Sequence, residues 1–141
     1  MDYNSLDRFI EAQEVSYSDA LDEVKNGRKR THWMWYIFPQ IRGLGMSPMA
    51  HKFGIEGIGE AKEYLAHPVL SKRLLEICQV LLSLDNKNAY EIFGDIDAIK
   101  LRSSMTLFAL ASDDGSVFQK VLEEYFAGEM DELTLNLVNR G

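Results

Sequence analysis

The chain has 141 residues, enough for one domain that buries about two-thirds of its unfolded surface. Its 46% hydrophobic and 26% charged residues exclude a disordered chain, and a net charge of −7 weighs against a general nucleic-acid binder. Cys78 is the only cysteine, which excludes an intramolecular disulfide and a multi-cysteine zinc site.

Helix signals recur from end to end, and no repeat, linker or low-complexity tract interrupts them. Leu6, Phe9 and Ile10 follow helical spacing after a cap at Asn4 or Ser5. Ser16 with Asp19 resembles a capping box, Ala20, Leu21 and Val24 continue a stripe, and Gly27 supplies a stop. Ser47 before Pro48 reads as a cap and first helical residue, with Gly54 ending that short helix.

Ile58 to Ala66 predicts another short helix, broken at His67-Pro68, where the histidine charge suits a helix C-terminus. Val69, Leu70, Leu74, Ile77, Cys78, Leu81 and Leu82 then keep one period until Asp85-Asn86-Lys87-Asn88. Cys78 is expected in the core, as a small apolar residue.

Asn88 and Glu91 frame a helix ending at Gly94, and Asp95 caps the next, to about Ala111, before the turn Asp113-Asp114-Gly115. Phe118, Val121, Leu122, Tyr125 and Phe126 face one way up to Gly128, and Asp131 caps a last short helix. Leu133, Leu135 and Leu137 alternate as a short extended segment would, yet no sheet partner is apparent. The expectation is an all-α fold: one compact domain over residues 1–141 with about seven to eight helices.

Two segments crowd polar groups into apolar surroundings. The helix from Asp95 to Ala111 is apolar on more than one side, the mark of a central helix, yet carries Asp97, Lys100, Arg102, Ser103, Ser104 and Thr106. Cations are rarely buried unpaired, so these groups either pair internally or line a wet pocket. Lys100, Ser103 and Ser104 share a helical face and could hydrogen-bond an anionic or carbonyl ligand. The plainer reading is an exposed polar stripe with hydroxyls bonded back to the helix.

The second segment runs Thr31-His32-Trp33-Met34-Trp35-Tyr36-Ile37-Phe38-Pro39-Gln40, then Arg42-Gly43-Leu44-Gly45. Its aromatics suit a core or a surface for stacking a flat ligand. Gly43 and Gly45 permit a tight loop able to approach an anion, but without a preceding strand they make no dinucleotide fingerprint.

Imidazole titrates near neutral pH, which makes His32 an acid–base candidate. His51 and His67 lack metal-ligand spacing, so no metal is expected, and nothing implies a cofactor. Glu60, Glu63, Glu123 and Glu124 read as solvated helix faces, and Arg28-Lys29-Arg30 as surface charge after a helix stop, the alternative being three charges that gather phosphate at a pocket mouth. The N-terminus shows no signal peptide and no apolar run approaches the ~20 residues that span a bilayer, so a cytoplasmic protein without membrane contact is expected.

Arg8-Phe9 with Gln13, Arg30 through Gln40, Gly43-Leu44-Gly45, Tyr64 through Leu70 and Lys100 through Phe108 together resemble the bacterial family of unknown function DUF1810. The resemblance covers nearly the whole chain and implies an all-helical fold but no activity. The order of a lysine-bearing helix with Met105, the Phe118 to Leu122 helix and an acidic terminal segment is also similar to helical proteins acting on ADP-ribose-linked metabolites. The tryptophan-glycine ending of those proteins is missing here.

The expected function is binding of a small polar or anionic metabolite between the His32–Gly45 segment and the Asp97–Thr106 helix. Lys100 and Arg102 would neutralise charge, Ser103 and Ser104 orient the ligand, Trp33 or Trp35 stack, and Gln40 and Arg42 contribute from the loop. His32 or Asp97 would carry any proton transfer. The alternatives are a protein-interaction module without a small ligand and an enzyme acting on a nucleotide-linked metabolite. Nucleic-acid binding through Arg28-Lys29-Arg30 and Arg42 ranks last on net charge.

Overall fold

The structure, a computed structural model, describes residues 5–85, 87–113 and 115–140. Among these residues the chain forms eight helices and no strand: α1 (Asp7–Lys25), α2 (Met34–Ile37), α3 (Pro48–Lys52), α4 (Ile58–Ala66), α5 (Pro68–Ser83), α6 (Ala89–Leu110), α7 (Val117–Phe126) and α8 (Glu132–Arg140). None of them is long and apolar enough to cross a membrane. Asn4, Asn86 and Asp114, named above as cap and turn residues, lie outside the described residues.

Caps set most boundaries. The side chains of Ser47, Asn88 and Ser116 accept from the backbone N–H groups of Ala50, Glu91 and Gln119, satisfying donors that a helix start leaves open. Asp131 does the same for Thr134 at the start of α8. Gly94 holds φ 81°, ψ 170°, a conformation nearly confined to glycine, so α6 is two helical stretches meeting at a kink.

α6 is the central element and packs against α4, α7 and α8. From Leu101 to Phe108 only Arg102 keeps partial exposure, which explains why its apolar residues occupy more than one side. Aromatic rings run through the core from Phe9 to Tyr64 to Phe108 to Phe118, with centroids 5.3, 5.1 and 5.6 Å apart. Cys78 is fully buried there, and burial pushes its thiol pKa up, as expected of a core cysteine.

Four expectations need correction. Ser16 starts no helix: it lies within α1, where its Oγ accepts from the Tyr36 hydroxyl at 2.9 Å. His67 ends α4, but its side chain turns to α5: its Nδ1 accepts from the N–H groups of Val69 and Leu70 and caps that helix. The segment around Leu133, Leu135 and Leu137 is helical. There the buried Thr134 and half-buried Leu137 and Val138 repeat at helical spacing behind the Asp131 cap.

Glu60 is the fourth. It is no solvated face but one half of a buried ion pair, with the side chains of Arg8 and Glu60 only 3% and 7% exposed. Arg8 Nη2 donates to Glu60 Oε1 at 2.9 Å and to Gly54 O at 2.8 Å, Nη1 to Ser5 O at 2.6 Å, and Nε to Lys52 O at 2.8 Å. Glu60 Oε1 also accepts from Glu56 N at 2.9 Å.

Removing one partner of such a pair strands the other charge in a dry site. Arg8→Met is expected to destabilise by about 3–5 kcal/mol, and Arg8→Met with Glu60→Met by clearly less than the two single changes added. Urea denaturation of the three variants checks this. Additive losses would mean that the two side chains stabilise the fold independently.

Candidate functional site

α1 ends at Asn26, and Gly27 (φ 73°) turns the chain back toward α6. Lys29 N then donates to Ile92 O at 2.6 Å, which lays the segment leading to α2 along the first stretch of α6. Glu23 organises that segment. Its carboxylate accepts from Arg30 N (2.6 Å), Thr31 N (2.9 Å), Thr31 Oγ1 (2.6 Å) and Trp33 Nε1 (3.0 Å). Desolvation pushes the Glu23 carboxyl up, but these four donors outweigh it and hold its pKa at about 2.

The fixed segment and the kink at Gly94 flank an open cavity of about 510 Å³, within the usual volume range for small-molecule sites. Trp35, Phe93 and Ile96 give it apolar walls, and Lys29, His32, Asp97 and Lys100 supply charge and hydrogen bonding. Asp97 sits between two lysines: Lys29 Nζ is 2.9 Å from its Oδ2 and Lys100 Nζ is 3.6 Å from its Oδ1.

The lysines are held differently. Lys29 is only 8% exposed, also donates to Thr31 O at 2.6 Å, and lies 5.0 Å from the centroid of the Trp33 ring. Lys100 is 26% exposed and lies 5.0 Å from the centroid of the Trp35 ring. Its 3.6 Å ion pair exceeds hydrogen-bond distance, and among the described residues no acceptor takes its ammonium N–H groups. Lys29 is anchored, whereas Lys100 has donors to spare.

Of the candidate residues named from the sequence, His32, Trp35, Asp97 and Lys100 therefore converge on one cavity, together with Lys29. The others lie elsewhere. Trp33 is 1% exposed and packs on Phe38 and Phe93, so it backs the site and cannot stack a ligand. Gln40 and Arg42 flank the isolated parallel bridge Ile41–Ile55, and Arg42 donates to His51 O at 3.0 Å and pairs with Glu56.

Gly43 and Gly45 serve packing. Gly43 holds φ 111°, and a Cβ on Gly45 would meet the Ala50 Cβ at 2.7 Å. Arg102 donates to Glu129 O (3.0 Å) and Met130 O (2.9 Å), holding the α7–α8 connection. Ser103 Oγ lies 3.2 Å from Ile99 O and 3.0 Å from Asp131 Oδ2, so it docks α8 on α6. Ser104 Oγ is fully buried and has no hydrogen-bond partner among the described residues.

Sequence reasoning reached Lys29 only as one of three charges at a pocket mouth, and it missed Glu23. Lys29 stands between two arginines that are exposed, so its inward turn has no compositional signal. Glu23 belongs to the polar side of α1, and only the chain reversal at Gly27 brings Arg30, Thr31 and Trp33 to it. No group of three or more His, Cys, Asp or Glu residues able to hold a metal occurs among the described residues.

Residues 3–138 match the family described as protein of unknown function (DUF1810). The fold is similar to the crystal structure of the conserved hypothetical protein Rv1873 from Mycobacterium tuberculosis, at 1.38 Å. That chain is 43% identical, the match covers 98% of this chain and 99% of that one, and the TM-score is 0.94. No curated protein matches the chain.

Because the Glu23 carboxyl is depressed from 4.5 to about 2, protons bind it more readily in the unfolded chain. Its contribution to stability is therefore complete above about pH 4.5 and is lost as pH falls toward 2. Glu23→Gln should lower the melting temperature at pH 7 and make the fall between pH 4.5 and pH 2 shallower than in the parent. Thermal melts across that range, followed by tryptophan emission, decide it, and parallel acid limbs would show that Glu23 does not anchor the segment.

Proposed function

The chain belongs to the DUF1810 family of proteins of unknown function, and we propose that it binds a small organic anion in the cavity between the Lys29–Trp35 segment and α6. One observation carries this reading. Two lysines distant in sequence reach one carboxylate inside a cavity with aromatic walls, and the ammonium of Lys100 retains donors that no acceptor among the described residues takes. An ammonium is a costly group to hold in a half-dry cleft without hydrogen bonds, and an incoming carboxylate or phosphate oxygen would complete its coordination.

In this reading Lys29 supplies a fixed positive charge and Lys100 swings from the Trp35 face onto the ligand. Trp35, Phe93 and Ile96 cover the ligand's apolar part. His32, exposed among the cavity lining, is the group free to give or take a proton in any reaction there, because Asp97 is occupied by both lysines.

Thermal melts of the purified protein against organic acids, sugar phosphates and nucleotides test the proposal. A ligand at 100 times its Kd stabilises by about 2.7 kcal/mol, which for a chain of this size raises Tm by roughly 5–10 °C. Lys100→Ala is expected to abolish the shift while leaving the unliganded Tm within a few degrees, since the Lys100 ammonium donates no hydrogen bond among the described residues. A shift that survives Lys100→Ala would place the ligand elsewhere. No shift across the panel would favour a protein partner, with Ile96 and Ile99, 72% and 59% exposed, as its apolar contacts.

A further inference from the structure

Resting on that reading, we infer that the site selects singly charged carboxylic acids with an apolar body over doubly charged phosphate esters, and that Asp97 is the residue that sets this preference. The charge arrangement is the argument. Inside the cavity two ammonium groups face one carboxylate, so a single net positive charge remains for a ligand to neutralise. Asp95, exposed among the lining residues and in no ion pair among the described residues, brings the formal charge of these four groups to zero.

A monoanion disturbs that balance least. A dianion would bring a second negative charge close to Asp97, and in a partly desolvated cleft like charges repel more strongly than in water. Asp97 cannot easily turn away, because Lys29 holds its Oδ2 at 2.9 Å and is itself fixed by Thr31 O and the Trp33 face. The carboxylate is thus a built-in competitor for Lys100, which an incoming anion must outbid. The apolar half of the preference comes from Trp35, Phe93 and Ile96, which offer a sugar or an inorganic anion little to hydrogen-bond.

The test is a matched pair of probes, benzoate and phenyl phosphate, titrated by calorimetry and ligand-observed NMR at pH 8. There imidazole is neutral and the phosphate ester, with its second pKa near ~6, is dianionic. The parent protein is expected to bind benzoate more tightly than phenyl phosphate. In Asp97→Asn, whose amide oxygen still accepts from Lys29, the ratio of the two constants should swing by about tenfold or more toward phenyl phosphate.

Phenyl phosphate binding the parent more tightly, or an unchanged ratio in Asp97→Asn, overturns the selectivity while leaving anion binding intact. Binding of neither probe to either protein overturns both the selectivity and the anion reading. Should Asp97→Asn fail to fold, the order of the two probes on the parent protein still decides, since the reverse order contradicts the inference without any variant.

Discussion

The Arg8–Glu60 pair is the constraint on which the remaining architecture rests. A guanidinium can be taken out of water only if its donors find acceptors, and here they find the carbonyls of Ser5, Lys52 and Gly54 together with both oxygens of Glu60. Those acceptors come from the start of α1, the end of α3, the turn after it and the first turn of α4. A single side chain thereby closes the loop region between α2 and α4, where helices are short and an isolated bridge joins Ile41 to Ile55.

The close approach of Gly54 to Arg42 follows from the same closure, since a Cβ there would meet the Arg42 Cβ at 2.7 Å and its Cα at 2.8 Å. Gln13 repeats the device further along α1. Its amide donates to Tyr36 O at 2.7 Å and to the Tyr64 hydroxyl at 3.0 Å, and its oxygen accepts from Arg73 at 3.4 Å. Burial pushes the Tyr64 hydroxyl pKa up, so it stays a neutral partner in the core. α1 is thus joined to α2, α4 and α5 through polar side chains inside an apolar core. Such contacts have directional demands that hydrophobic packing lacks, and they set where α2 lies.

How much of this was legible in the sequence depends on the range of the interaction. Caps act over three residues, and Ser47, Asn88 and Asp131 sit where the helices begin. The central role of α6 was legible too, because a helix apolar on several sides needs neighbours on several sides. What escaped were contacts decided by chain reversal: Glu60 reads as polar surface until Arg8 arrives from a distant helix, and Lys29 reads as surface until the Gly27 turn aims it at Asp97. Within the candidate site the sequence located both segments but not their geometry. Trp33 and Trp35 are neighbours of neighbours on a short helix, yet one faces the core and the other the cavity.

The polar residues of α6 divide according to what already occupies them. Arg102, Ser103 and Thr106 are committed to the connection into α8: the arginine to two carbonyls, Ser103 to the Asp131 cap, and Thr106 Oγ1 to Asp131 N at 2.9 Å. Lys100, on the same helix, is not committed in this way, and neither is His32 across the cavity. A fold can hold a charged group without hydrogen bonds only where water or a ligand completes them. Such groups occur together at one place around Asp97, next to aromatic walls and beside a backbone kink that only glycine adopts readily. Arg102, Ser103 and Thr106 spend their polar atoms on structure, and that contrast supports the proposal that the Lys29–Asp97–Lys100 cleft is the ligand site.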